Sequence, residues 1–556
     1  LKSDSAILHY KLGTTLKALG RLEEACEAYV CAVNLNPGFS NAFVNLGQAL
    51  RNVRFYGANR SLYPALSDLL TARSFVRPKN IAKAVISLLK HDPVMMDLLA
   101  RSEPSVVDIE GVITAIAALH QLPLLHDLMR ICPLPDLKLE GLFESIRRLL
   151  ILSLKEIQES PELTNFLSTL SLQCFVNEYV YFETEDEYAL VGDLETEIAE
   201  CVAQGVQPTF IGVLCFAAYR PLHQYAWSEA LQVLDQLPEI RRRLIGEPLA
   251  ERVLAQQIPV LADVKDEVSR KVKDQYEENP YPRWVNLGIP VKPKSLARIC
   301  TEAELELGSE DIKNVSNPSI LIAGCGTGQH SIGSACRYSD CKVTAVDLSL
   351  TSLAYAQRKT TEHDVSNIEY LQADILQLGK LDRTFDIIES TGVLHHMEDP
   401  MAGWRILTGL LNVGGLMKIG LYSDLARQHI VAIREEIAML GIKTSAADMR
   451  GFRKSLAESH DEHKQRLVTS NDFFSLSTVR DLIFHVQEHR FTLPQIQACL
   501  NELGLRFCGF EKAYVAKFRE FHGKQSNVYD LMLWHELEKS QPRTFASMYQ
   551  FWCQKL

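Results

Sequence analysis

Three glycines, Gly324, Gly326 and Gly328, recur at two-residue spacing in the run Ile322-Ala-Gly-Cys-Gly-Thr-Gly-Gln-His330, directly after an apolar stretch. An acid, Asp347, closes the next apolar stretch, Val343-Thr-Ala-Val-Asp347, about 20 residues on. Glycine suits a sharp strand-to-helix turn because the turn needs positive φ, and because a Cβ would keep the backbone away from a ligand. The acid at that distance is placed to accept hydrogen bonds from ribose hydroxyls. The chemistry of such a set is the binding of a nucleotide-like cofactor. The spacing is GxGxG with Gln329 next, whereas the dinucleotide fingerprint GxGxxG leaves room for a pyrophosphate at the helix N-terminus. A nicotinamide dehydrogenase is therefore the weaker reading.

These residues need a sheet to hold them. Ser319 to Ala323, Lys342 to Val346, Ile368 to Gln372, Phe385 to Ser390 and Gly415 to Tyr422 read as short strands, separated by amphipathic stretches of helical length. Repeated β-α units imply a parallel sheet, whose carboxyl edge carries the ligand-binding loops. Leu505 to Phe510 reads as a sixth strand and Ser547 to Gln554 as the last, after a long helical insertion.

Ahead of the sheet the pattern is helical. Residues 6 to 39 fit a tetratricopeptide repeat, with Leu12, Gly13, Leu16, Ala25, Tyr29, Ala32 and Pro37 at the positions of a 34-residue helix pair. Small residues let such helices approach, and a second repeat starts at Ser40 and fades after Arg51. From about residue 60 to 275 the chain is leucine-rich with proline breaks, an all-α middle region. Asn177-Glu178-Tyr179 and Ala218-Tyr219-Arg220-Pro221 are polar islands there, expected to form a buried hydrogen-bond network.

Composition narrows the class. The chain has 556 residues, 47% of them hydrophobic and 23% charged, with a formal charge of -11 and a pI near 5.9. That acidic balance opposes nonspecific nucleic-acid or anionic-membrane binding. Thirteen cysteines without CxxC pairs predict reduced thiols in a cytoplasmic protein, with neither a zinc site nor a disulfide framework. The longest apolar runs fall short of a membrane helix, so no integral membrane association is expected. The chain opens at Leu1, inside the repeat pattern, which leaves room for residues ahead of it.

The motifs of the sheet region resemble those of class I S-adenosylmethionine-dependent methyltransferases. The resemblance implies that Gly324, Gly326 and Gly328 pack on the methionine part of S-adenosyl-L-methionine and that Asp347, with Leu348 beside it, holds the ribose. In Ala373-Asp374-Ile375, Asp374 would accept from the adenine amine and Ile375 would cover the ring. Ser390 and Gly392, in Glu389-Ser-Thr-Gly-Val-Leu-His-His396, would stand beside the transferring methyl. Further motifs, Gln275-Tyr-Glu-Glu-Asn-Pro-Tyr-Pro-Arg-Trp284, Asp472-Phe-Phe-Ser-Leu-Ser477, Arg480-Asp-Leu-Ile-Phe-His485 and Phe545 to Trp552, extend the resemblance over nearly the whole chain. It is similar to bacterial proteins that join tetratricopeptide repeats to a methyltransferase domain, related to the rickettsial lysine methyltransferases of outer-membrane proteins.

The expected architecture is thus multidomain: a repeat region (1–59), a helical middle domain (60–275), a Rossmann-like α/β core (276–423), a helical insertion (424–504) and the C-terminal part of the sheet (505–556). The resemblance implies a protein or peptide acceptor such as an outer-membrane or surface protein, with lysine as the methylated residue. A homodimer stays open. A lysine must first lose its proton, which a desolvated site with tyrosine or carboxylate favours; Tyr276, Glu277, Tyr281 and Tyr422 are candidates. For a hydroxyl acceptor a histidine base is expected, with His395, His396 and His485 competing. Arg427, Asp472, Arg480, Asp481, His485 and Arg490 in the insertion could line an acceptor cleft. The alternatives are a small-molecule N- or O-methyltransferase and a non-catalytic repeat scaffold.

Overall fold

The computed structural model describes residues 4–72, 74–101, 108–290 and 292–556, so Leu1 lies outside it. The chain divides into two compact units. One comprises Leu1–Ala250, Arg283–Val291 and Ile442–Val479, and the other Glu251–Pro282, Lys292–Gly441 and Arg480–Leu556.

The first unit is helical. Its opening helices, Ala6–Ala18 and Leu22–Leu35, pack closely because Gly13 lacks a side chain: a Cβ there would come 2.8 Å from the ring of the buried Tyr29. Helix starts follow the local chemistry. Proline occupies the first turn of Pro78–Lys90, Pro123–Ile131 and Pro161–Val176. The Asp136, Ser160 and Thr184 side chains cap the helices Leu137–Leu152, Pro161–Val176 and Glu185–Ala203. Both polar islands are largely buried and partly bonded, although Asn177 Nδ2 and the Tyr179 hydroxyl have no partner among the described residues. Tyr219 donates to Glu187 (2.6 Å), Arg220 holds Glu183 through two bonds (2.7 and 2.9 Å), and Arg450 donates to the Tyr179 carbonyl (2.6 Å). Arg453 grips Glu140 and the Phe473 carbonyl, tying residues 442–479 into this unit. Among the described residues no single helix is long and apolar enough to cross a membrane; one pair bent by 95°, Ile109–Leu119 and Pro123–Ile131, passes that test only when taken together.

The second unit is built on a seven-stranded sheet: β1 (Ser319–Ala323), β2 (Lys342–Asp347), β3 (Ile368–Gln372), β4 (Phe385–Thr391), β5 (Leu411–Leu421), β6 (Leu505–Phe510) and β7 (Tyr549–Lys555), in the order β3-β2-β1-β4-β5-β7-β6. Neighbours from β3 through β5 are parallel. The sheet is mixed where a parallel one was expected, because β7 enters between β5 and β6 and runs antiparallel to both. The β-α alternation that implies parallel neighbours stops at β5. In β1, Ile320 and Ile322 belong to one apolar core and Leu321 and Ala323 to another. The period of two thus buries both faces, as a sheet covered on each side requires. Strand order reverses between β1 and β4, which places the ligand crevice outside the carboxyl ends of those two strands.

Candidate active site

The glycine turn leaves β1 at that crevice. Gly324, Gly326 and Gly328 have φ of 78°, 52° and 87°, and the helix Gln329–Arg337 starts directly after Gly328. All three positions admit no side chain for a second reason: a Cβ on Gly328 would lie 2.7 Å from Ala356 Cβ. A Cβ on Gly326 would lie 2.7 Å from the Tyr281 carbonyl oxygen, and one on Gly324 would collide with Val393 after β4. Asp347, at the end of β2, accepts from the Gly326 amide at 2.8 Å and the Ser349 amide at 3.0 Å. Burial pushes its carboxyl up, and those amides pull it back only in part. Leu348 follows it, its carbonyl accepting from Gln372 at 2.9 Å.

Asp374 and Ile375 follow β3 and are both buried. One Asp374 oxygen accepts from the Leu376 amide at 2.9 Å; the other is buried without a partner, and burial raises this carboxyl too. At the end of β4 the Ser390 and Thr391 hydroxyls and both ring nitrogens of His395 are likewise buried without partners, while Gly392 turns at φ 80°. A buried polar atom left unbonded costs about 1–3 kcal/mol. Several such atoms around one crevice fit a polar ligand carrying donors and acceptors.

The segment before the sheet lies on this turn. Tyr281 and Pro282 carbonyls accept from Thr327 amide and hydroxyl, the amide at 3.4 Å. Glu277 points elsewhere. It accepts from the Leu350 and Thr351 amides at 2.8 and 3.0 Å, so its charge sits at the N-terminus of the helix Leu350–Glu362. Tyr276, its neighbour, donates to Asp481 at 2.7 Å and meets His485 Nε2 at 3.1 Å.

The histidines gather around that contact. His396 and His485 stack with centroids 3.6 Å apart, and His395 lies 3.8 Å from the Tyr422 ring. Burial, then neighbouring His and Arg groups, drives His395 and His485 well below the usual imidazole range. His396 is lowered to about 4 by burial and nearby arginines, against the Gln487 carbonyl and Glu488. The proposed cleft residues separate. Arg427 stacks on Tyr422 at 3.6 Å and pairs with buried Glu488 at 2.7 Å, and Arg480 bonds Glu278 at 2.7 Å. Arg490 reaches Asp424 at 3.4 Å, whereas Asp472 belongs to the helical unit and pairs with Lys79 at 2.7 Å.

Sequence reasoning assigned no role to Glu389. It is fully buried mid-sheet and accepts from His330, from Ser334 (2.8 Å) and from Tyr338 (2.7 Å), all on or beside the helix that follows the glycine turn. The signal was there: an acid, Glu389, between Ile388 and Ser390 in the inner half of an apolar strand run.

Residues 320–415 match the family described as methyltransferase domain. This segment is similar to a methyltransferase domain. An uncharacterised protein of Synechococcus sp. is 29% identical over 270 residues, covering 45% of this chain and 61% of its own length. The (S)-coclaurine N-methyltransferase of Thalictrum flavum subsp. glaucum is 31% identical over 117 residues, 20% of this chain and 32% of that enzyme. The chain thus spans less than two thirds of these relatives. The structure of PKMT2 from Rickettsia typhi with AdoHcy aligns with a TM-score of 0.37 at 15% identity, over 48% of this chain and 54% of that one. The methyltransferase domain contains every glycine and acid of the crevice, from Gly324 to Asp374, together with the β4 loop.

Proposed function

We propose that this chain is an S-adenosyl-L-methionine-dependent methyltransferase acting on a nitrogen of a protein side chain. The observation that carries the cofactor assignment is the set of unpartnered buried polar atoms, Asp374 Oδ2, Ser390 Oγ and Thr391 Oγ1, at the carboxyl ends of β3 and β4, on the side of the sheet where the glycine turn leaves β1. In this reading Asp347 holds the ribose hydroxyls, Asp374 takes the adenine amine, Ile375 covers the ring, and the turn backs the methionine part. When bound, the cofactor supplies an electrophilic methyl group. The protein's own contribution is to orient the acceptor in line and exclude water. Nitrogen is supported by relatives named N-methyltransferases. A protein acceptor, lysine in particular, follows from the motif resemblance and from the size of the helical unit, with its tetratricopeptide-like helix pair.

A non-catalytic scaffold has no use for two acids at the carboxyl ends of β2 and β3 beside the glycine turn. Calorimetry with S-adenosylmethionine and S-adenosylhomocysteine tests the assignment. Micromolar binding of both, followed by transfer of labelled methyl to poly-lysine, is expected. Absence of binding would overturn it, and labelling of a small amine but no polypeptide would move the acceptor to the small-molecule class.

A further inference from the structure

The backbone of Gln487 fixes opposite tautomers on two stacked histidines. Its carbonyl can only accept, so His396 Nδ1, 2.7 Å away, carries the hydrogen. Its amide can only donate, so His485 Nδ1, 3.2 Å away, is the bare nitrogen. In neutral rings the other nitrogens follow. His485 carries its hydrogen on Nε2 and donates to the Tyr276 oxygen, and Tyr276 donates to Asp481. His485, Tyr276 and Asp481 therefore form a chain in which every hydrogen has a place. His396 is left with a bare lone pair on Nε2, one residue past His395 and three past Val393, the side chain that abuts Gly324.

The charged and titratable groups facing His396 are His395, His485, Tyr422, Asp481, Arg427, Arg434 and Glu488. Their balance, with burial, keeps the ring neutral and its lone pair available at neutral pH. Of the three competing histidines only His396 fits. His485 Nε2 is a donor committed to Tyr276, and His395 has no partner among the described residues at either ring nitrogen to fix which one stays bare.

Building on the methyltransferase reading above, we propose that His396 Nε2 accepts the hydrogen of the methyl-accepting N–H or O–H group, with the His485–Tyr276–Asp481 chain fixing the ring stacked against it. As the acceptor heteroatom bonds to the methyl carbon, the carbon–sulfur bond breaks with its electron pair going to sulfur. The acceptor's proton goes to Nε2, and the imidazolium, still donating from Nδ1 to Gln487, returns the proton to water. His396, Asp481 and His485 also offer three ligand atoms within 4.8 Å of one another. A metal bound through His485 Nε2 would need a lone pair on the nitrogen that the Gln487 amide leaves carrying hydrogen.

The test is long-range proton–nitrogen NMR on the full chain labelled with 15N-histidine, with and without S-adenosylhomocysteine, assigned through His396→Gln and His485→Gln. The expected spectrum shows His396 protonated at Nδ1 and bare at Nε2, with His485 the reverse. Adding n-butylamine or phenol should shift the His396 Nε2 signal. A hydrogen on His396 Nε2, or a signal unmoved by both probes, would overturn the proposal. So would stoichiometric Zn²⁺ binding to chelator-treated protein that Asp481→Asn abolishes. Calorimetry separates the two readings: failed cofactor binding strikes the methyltransferase assignment, while the tautomer result is read without cofactor.

Discussion

The Tyr281 carbonyl oxygen stands 2.7 Å from where the first side-chain carbon of residue 326 would be, so the segment ahead of the sheet closes on the glycine turn only because Gly326 has no side chain. The same glycine is held at φ 52° and donates its amide to Asp347. Gly326→Ala meets both a left-handed backbone and a carbonyl that cannot swing away like a side-chain tip. We expect a stability loss of about 1–3 kcal/mol and at least a tenfold fall in S-adenosylhomocysteine affinity, read by thermal melting and calorimetry. Wild-type affinity in this variant would show that the turn is not the cofactor's support.

Glu277 tests whether a conspicuous acid near the site is chemical or structural. Its two amide partners belong to the start of the helix Leu350–Glu362, alongside the Ser349 cap. Glu277→Gln should cost about 1 kcal/mol, the value of a cap or first-turn charge, and leave S-adenosylhomocysteine affinity within a few-fold. A melting temperature equal to wild type combined with lost binding would reverse that assignment.

The β-α core was legible because each of its strands is a short apolar run ended by a turn or an acid, and the five strands from Ser319 to Leu421 fall where periodicity placed them, with β5 starting earlier at Leu411. The helix Pro400–Leu410 runs straight into that strand, and a register shift between Phe385 and Ile387 absorbs the extra residues. No local pattern encodes that bulge. The β7 direction was illegible for a related reason: strand polarity beyond the last β-α unit depends on how the chain returns, not on side-chain period. The glycines and Asp347 were readable from spacing, and Asp374 only through the motif resemblance. The pairing of Tyr276 with Asp481 joins residues 205 apart, and the Gln487 contacts are made by backbone, to which side-chain motifs are blind.

Asp347 and Asp374 should separate on mutation. Asp347 already accepts two amides, so in the proposed reading Asp347→Ala would remove the ribose acceptor and loosen the glycine turn as well. Asp374 keeps one oxygen unpartnered, so Asp374→Asn preserves the amide contact and loses only the ligand-facing charge. A hydrogen bond to a charged group is worth about 1.5–3 kcal/mol, which corresponds to about 10- to 150-fold in S-adenosylhomocysteine affinity. Asp374→Asn should show that loss with an unchanged melting temperature, and Asp347→Ala should lose affinity and stability together. Sinefungin or another adenosine analogue binding equally to wild type and Asp374→Asn would remove Asp374 from the adenine pocket.

Glu389 makes a distinct prediction through pH. Burial would raise its carboxyl, but His330, Arg337 and Lys418 outweigh that and hold it well below the carboxylate range. A depressed carboxylate contributes stability that is present above its unfolded value of about 4.3 and is lost as pH falls toward the folded one. The buried histidines act in another window. His396 and His126, both lowered to about 4, withdraw stability as pH falls from about 6.5 toward 4, at up to about 1.4 kcal/mol per pH unit for each group. Glu389→Gln leaves His330 beside a neutral amide and should cost about 3 kcal/mol at pH 7. Its melting temperature should keep the wild-type slope between pH 6.5 and 4.5 and flatten below pH 4. A variant whose acid limb matches wild type below pH 4 would mean that the sheet's central carboxylate is not what the helix after the glycine turn is fastened to.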